Sequence, residues 1–165
     1  MIDTKDYLLC VNVEDTPYML WQLELFIWST VKNQCKDYKV EPQNILVIFT
    51  LNNSNQKNIE LSGYAKSIIK YYDIKYVIEN ENYGNNAGIP RCREDVVGKG
   101  VLYKQPYLPL NKPCSLVAVF NSDYWKDYKF IVVLESDLFA YGGINFDKFP
   151  TDKTSIAQHF LMDQW

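Results

Sequence analysis

The sequence lacks the residues and motifs that several large enzyme classes require. It has one histidine, His159, among 165 residues, and no G-x-S-x-G motif, which argues against a Ser-His hydrolase. No G-x-G-x-x-G follows the first apolar run and no G-x-x-x-x-G-K-[ST] occurs anywhere. Dinucleotide oxidoreductases and P-loop kinases therefore lose their usual support. His159 itself fits a core or surface residue better than a ligand.

Long apolar runs and an excess of basic residues are also missing. No run approaches the roughly 20 apolar residues of a membrane helix, and residues 1–15 do not resemble a signal peptide. We therefore expect a soluble, cytoplasmic protein without a membrane span. The net charge of -3 and the pI near 5.2 argue against nucleic acid as a partner, because phosphate-backbone binding depends on clustered Lys and Arg.

The four cysteines are too widely spaced for a zinc or redox motif. We expect four reduced thiols, with two or three of them in the core. These residues are Cys10, Cys35, Cys92 and Cys114.

Apolar runs of strand length alternate with amphipathic stretches of helical length. Strands are predicted at residues 7–13, 45–49, 75–79 and 130–134, and helices at 17–35, 59–72, 111–120 and 154–162. Thr16 and Pro17 form a typical helix start. Residues 80–109 lack periodicity and collect Gly and Pro, which predicts a long irregular segment. This order predicts a single α/β domain over residues 1–165, with a Rossmann-like, mainly parallel sheet and helices on both faces.

Acidic side chains follow two of the predicted strands, where ligands bind in an open parallel sheet. Glu14-Asp15 follows the first strand, and Glu135-Ser136-Asp137 follows the strand at 130–134. Two carboxylates separated by one residue can both face Mg²⁺ or Mn²⁺, which completes its coordination with phosphate oxygens. The alternative is a solvated turn after a strand.

Cationic side chains near phosphate are the second requirement of such a site. Lys112 lies at a predicted helix N-terminus, where its charge would add to the attraction of the helix for phosphate. An ordinary surface lysine is the alternative interpretation. Arg91, Arg93 and Lys99 in the irregular segment could also clamp phosphate, although solvated side chains are the simpler interpretation.

Three short patches resemble a known family. Tyr18, Trp21 and Gln22 resemble the Y-x-x-W-Q signature of the hydroxyproline O-arabinosyltransferase and peptidyl-serine galactosyltransferase group. Asn111-Lys112-Pro113 resembles its N-K-P before a helix, and residues 130–137 resemble its apolar strand with a DxD-type metal motif. Order and spacing agree from residue 7 to about residue 150.

The resemblance implies a GT-A fold that binds a UDP-sugar with Mn²⁺ or Mg²⁺ and transfers the sugar, with retention, to a hydroxyl of a protein or glycan acceptor. Lys112 would approach the diphosphate, Asp137 would be the principal metal ligand, and Glu135 would face metal or ribose. No physical role follows for Tyr18 or Gln22, and Trp21 is expected to pack. The residues expected to border the uridine are Asn12, Val13, Glu14 and Asp15.

Two departures from the family pattern leave alternatives open. The first acid of the triplet is Glu135 where Asp is usual, which puts its metal contact in question. The resembled enzymes also continue past the metal motif into an acceptor-binding part. The alternative function is thus a non-catalytic or truncated nucleotide-sugar-binding module. A nucleotidyltransferase is a third interpretation. An enzyme of this class is expected to have a Gly-rich loop directly after its first strand, whereas this sequence has Glu14-Asp15 there.

Overall fold

The computed structural model of the chain describes residues 6–32, 40–51, 60–79, 89–92, 102–105 and 111–137. Strands and helices follow one another along the chain, and the connections between them are short where they are described. In chain order they are β1 (Tyr7–Glu14), α1 (Pro17–Val31), a 3₁₀ turn (Pro42–Asn44), β2 (Ile45–Thr50), α2 (Gly63–Tyr72), β3 (Lys75–Glu79), β4 (Ile89–Cys92), β5 (Leu102–Gln105), α3 (Asn111–Asn121) and β6 (Phe130–Glu135).

The main sheet has four strands in the order β3-β2-β1-β6, and every neighbouring pair is parallel. β1 pairs with β2 from Leu9↔Ile45 and with β6 from Tyr7↔Phe130. Both β1 and β2 are almost wholly buried, as expected for parallel strands covered on both faces. The predicted α/β, Rossmann-like architecture is confirmed.

The two faces of the sheet bury different helices. Alternate side chains of β1, such as Leu9 and Val11, join a large core cluster with residues of α1 and α2. The opposite side chains, Leu8 and Cys10, pack with Val119 of α3 in a smaller cluster. Burial of this kind contributes about 25 cal/mol per Å² of apolar surface, so the larger cluster dominates the stability of the sheet. Helices cover both faces, as the sequence predicts.

Helix starts depend on hydroxyl caps. The Thr16 side chain accepts a hydrogen bond from the Met19 N–H, and Pro17 occupies the first turn of α1. Ser62 caps α2 by accepting from the Ala65 N–H at 3.1 Å. The predicted start of α2 at residue 59 is therefore too early, because residues 60 and 61 precede the cap and are not helical.

A small antiparallel sheet lies within the segment that lacks periodicity. β4 pairs with β5, with Pro90 opposite Lys104. The prediction of a wholly irregular segment is wrong at these residues. Strands of four residues carry too little alternation to be recognised, and a proline within one argues against a strand.

Several predictions fall on parts of the chain that are not described. Residues 33–35 of the first predicted helix, the predicted helix at 154–162 and His159 lie outside the described residues. Arg91 lies in β4, whereas Arg93 and Lys99 are outside the described ranges. Within those ranges, none of the helices has the length and apolar character needed to span a bilayer.

Candidate functional site

The chain changes direction across the sheet between β1 and β6. From β1 it proceeds outward to β2 and β3, and it then returns to place β6 on the other side of β1. In open α/β sheets, ligands bind at the carboxyl ends of the strands on either side of such a reversal, and this edge between β1 and β6 is called the crevice below. The last paired residues at this edge are Asn12 and Glu135. Glu14 and Asp137 each lie two residues beyond that pair.

Asn12 connects three elements at the base of the crevice. Its side-chain amide nitrogen donates to Ser115 Oγ of α3 at 2.6 Å and to Thr50 Oγ1 of β2 at 2.9 Å. The Ile48 carbonyl oxygen lies 3.3 Å away. Ser115 Oγ in turn donates to the Asn111 carbonyl at 2.6 Å. These bonds hold the first turn of α3 against the ends of β1 and β2.

Lys112 projects from that first turn and forms an ion pair with Glu135. The two residues are 23 positions apart in the chain. Their side chains are 42% and 50% exposed, so solvent screens the pair and its net contribution to stability is small. The structure thus brings the predicted phosphate-binding lysine to the first acid of the predicted metal motif.

The acidic triplet alternates in exposure as β6 ends. Glu135 and Asp137 are exposed, whereas Ser136 between them is only 4% exposed. Both carboxylates therefore lie on the solvent side, where they are accessible to a hydrated cation. Within the described part of the chain, no group of three or more His, Cys, Asp and Glu side chains forms a metal cluster. A pair of carboxylates still fits Mg²⁺ or Mn²⁺, because such ions take several ligands from water and substrate phosphate.

The residues at the end of β1 and directly after it lie in different environments. Asp15 accepts two hydrogen bonds from Ser62, from its N–H and its Oγ, both at 2.6 Å. Its carboxylate is thereby attached to the N-terminus of α2, which gives this residue a structural contact that the sequence did not suggest. The Val13 side chain is buried in the core, so a ligand could contact only its backbone. Glu14 is half-buried at the end of β1.

The motif residues of α1 lie on the outer side of the helix. The Gln22 side chain donates to the Tyr18 hydroxyl at 3.1 Å, and Tyr18 is 67% exposed. Trp21 is 56% exposed, which contradicts the expectation that it packs in the core. Its position follows from helical periodicity, because Leu20 and Leu23 on the opposite side already fill the core.

Thr50 and Ser115 are site residues that the sequence did not reveal. Both are buried polar side chains, and both take part in the hydrogen bonds around Asn12. A polar residue at the end of an apolar strand is a signal that could have indicated Thr50. Ser115 gives no comparable signal, because only the packing of α3 on the sheet makes it a neighbour of Asn12.

Cys10 has the environment of a core residue rather than of a reactive thiol. Cys10 lies within β1 and is buried in the smaller cluster. Burial raises the pKa of its thiol from the ordinary value of 9.0 to about 12, so the reactive thiolate is scarce at neutral pH. This environment agrees with the expected role of Cys10 as a core residue.

Comparison of the chain with protein-family models, curated proteins and solved structures finds no match.

Proposed function

We propose that the crevice between β1 and β6 binds the diphosphate of a UDP-sugar together with Mn²⁺ or Mg²⁺, and that the domain transfers the sugar to a hydroxyl of a protein or glycan. The observation that carries the proposal is the meeting of Lys112 with the Glu135-Ser136-Asp137 triplet at the direction reversal of the sheet. The family resemblance of the same residues supports it, and it adds the UDP-sugar and the GT-A type of fold.

The charges in the crevice match those of a metal-bound diphosphate. Lys112 lies in the first turn of α3, where its ammonium and the helix N-terminus both attract phosphate oxygens. Glu135 and Asp137 supply the anionic oxygen ligands that a hard divalent cation prefers. A bound cation would neutralise the negative charge that develops on UDP as the glycosidic bond breaks.

Binding requires Lys112 to exchange partners. In the structure Lys112 is engaged by Glu135, so its ammonium reaches a phosphate only when this ion pair opens. A cation that takes up the Glu135 carboxylate would release Lys112 to the diphosphate. Metal and UDP should consequently strengthen each other's binding, since coupling between two ligands is reciprocal.

Calorimetric titration of UDP, with and without Mn²⁺, tests the proposal. Asp137→Asn keeps the side-chain shape but removes the charge that holds the cation, so Mn²⁺-dependent binding should fall by more than about tenfold. The matched control is Asp127→Asn, an exposed aspartate before β6, which should bind UDP as the unchanged protein does. Undiminished metal-dependent binding by Asp137→Asn would remove the metal site from the proposal.

Glu135→Gln gives a different signature from Asp137→Asn. The substitution weakens metal binding but also releases Lys112, so metal-free UDP binding should rise by up to about fivefold. A fall in metal-free binding would show that Glu135 does not compete with phosphate for Lys112.

Turnover is measured separately, as UDP released from a panel of UDP-sugars with Mn²⁺. Release that depends on Asp137 shows that the bond between sugar and diphosphate is cleaved, with water as the acceptor, and release that increases when a protein or glycan acceptor is added supports a transferase. Metal-dependent binding without release would instead identify a nucleotide-sugar-binding module.

A further inference from the structure

The outer face of α1 carries a row of large apolar side chains. Tyr18, Trp21, Leu25 and Trp28 follow one another at intervals of three and four residues, and they are 67%, 56%, 37% and 45% exposed. The core-facing side of the same helix is fully supplied by residues such as Leu23 and Ile27. A surface helix normally presents polar residues on its outer side, so the packing of α1 against the described core does not account for this row.

Part of this row forms one wall of an open groove between α1 and α2. The groove has a volume of about 410 Å³ and is lined by Trp21, Glu24, Leu25, Trp28 and Tyr72. Tyr72 belongs to α2, whereas the other four residues lie on successive turns of α1. The lining therefore combines three aromatic rings with a single charged side chain.

The carboxylate in this groove is held in place by a neighbour. The Tyr64 hydroxyl donates to Glu24 Oε2 at 2.6 Å. This hydrogen bond raises the pKa of Tyr64 to about 12, so the hydroxyl remains a donor throughout the physiological range. It fixes one oxygen of Glu24 and orients the carboxylate at the groove.

The lining is complementary to an organic cation. Aromatic faces carry negative electrostatic potential and attract ammonium and guanidinium groups, most strongly at tryptophan. Glu24 adds a full negative charge, and none of the described residues that line the groove is cationic. We propose that this groove is a binding site for an alkylammonium group, with the rings of Trp21 and Trp28 contacting its methyl or methylene carbons and Glu24 balancing its charge.

Tetramethylammonium chloride is the probe for this site. It is titrated into the full chain, and the indole N–H signals of the four tryptophans are followed by ¹⁵N-¹H NMR. Sodium chloride provides the ionic-strength control, and tert-butanol provides a neutral ligand of similar shape. Saturable shifts confined to Trp21 and Trp28, with markedly weaker binding of tert-butanol, are the expected result.

Two glutamate variants separate the site from general surface charge. Glu24→Gln should raise the dissociation constant of tetramethylammonium about fivefold. Glu60→Gln is the matched control, because Glu60 is exposed and forms an ion pair with Lys66 outside the groove, and it should leave the constant unchanged. Circular dichroism verifies that both variants are folded.

Three outcomes would overturn the proposal. The first is the absence of saturable shifts at Trp21 and Trp28, and the second is equal affinity for tert-butanol. The third is equal loss of affinity in Glu24→Gln and Glu60→Gln. None of these results depends on UDP or Mn²⁺, so the site can fail or succeed independently of the crevice between β1 and β6.

Discussion

Asn12 shows how one side chain can determine the geometry of the crevice. Its amide nitrogen lies within hydrogen-bond distance of oxygens from β2 and α3, and the residue opposite it in β6 is Glu135. A change at this position therefore affects the placement of α3, which carries Lys112, relative to the acidic triplet.

Asn12→Ala should lower the free energy of unfolding by about 1–3 kcal/mol, because buried oxygens of Thr50 and Ser115 lose their donor. Asn12→Asp should cost more, since its carboxylate would face the same oxygens without donating to them. Urea denaturation followed by circular dichroism measures both changes. Asn121→Ala, at an exposed asparagine, is the control and should stay within about 0.5 kcal/mol. An equally small effect of Asn12→Ala would show that these contacts do not stabilise the fold.

At the residue scale, the sequence identified which residues could bind a metal or phosphate better than it identified which residues contact one another. The acid-x-acid spacing singled out Glu135 and Asp137, and the helix start singled out Lys112. Neither pattern predicts the ion pair between Lys112 and Glu135, because that contact depends on how α3 crosses the sheet. The exposure of Trp21 was also missed, since α1 has apolar residues on both sides and its sequence does not distinguish them.

At the scale of elements, α2 depends on a contact with the loop that precedes α1. Asp15 binds both the N–H and the hydroxyl of Ser62, and its charge is favourable beside a helix N-terminus. Ser62 is also the cap of α2. The two residues thus connect the ends of two neighbouring elements on the same side of the sheet.

A double-mutant cycle of Asp15→Ala and Ser62→Ala should give a coupling energy of about 1 kcal/mol, a value at the lower end of the usual range because Ser62 is exposed. Each single change should lower the helical signal and the unfolding free energy. The control cycle uses Lys66 and Glu60, an ion pair with side chains 55% and 74% exposed, for which a coupling below about 0.5 kcal/mol is expected. Additive effects would contradict a stabilising bond between the Ser62 hydroxyl and Asp15, because Ser62→Ala removes this bond and keeps the one from the backbone N–H.

Element boundaries were predicted accurately where the local sequence pattern was strong and poorly where it was weak. The continuous apolar run at residues 45–49 predicted β2 to within one residue, as is typical of a parallel strand covered on both faces. The bounds predicted for β3 agree with the structure. The start of α2 was misplaced because Ile59 and Leu61 extend its apolar pattern, while Gly63 after the cap conceals the start. β4 and β5 were missed because pairing between them, rather than local alternation, defines them.

At the scale of the whole molecule, β1 occupies the position with the most support. It is hydrogen-bonded on both sides, to β2 and to β6, and it is covered by helices on both faces. β6 pairs with β1 alone among the described strands, and two of its residues, Val133 and Glu135, are exposed. Stability is therefore distributed unevenly over the sheet.

Native-state hydrogen exchange should reveal this distribution. Amides of β1 and β2 should exchange slowest, with opening free energies close to that of global unfolding, while amides of β6 should exchange through smaller openings. Mass spectrometry of peptic fragments measures the three strands separately. Exchange in β6 as slow as in β1 would show that the crevice is as rigid as the core.

The position of β1 between later strands has a consequence for synthesis of the chain. Asp6 and Lys129, which immediately precede β1 and β6, are 123 residues apart. At roughly 5–20 residues per second, the ribosome needs about 6–25 s to make the intervening chain. During that interval the β6-facing edge of β1 is an unpaired apolar strand edge, of the kind that promotes aggregation. A strand that is paired on both sides in the finished sheet thus lacks one of its partners for most of the synthesis of the chain.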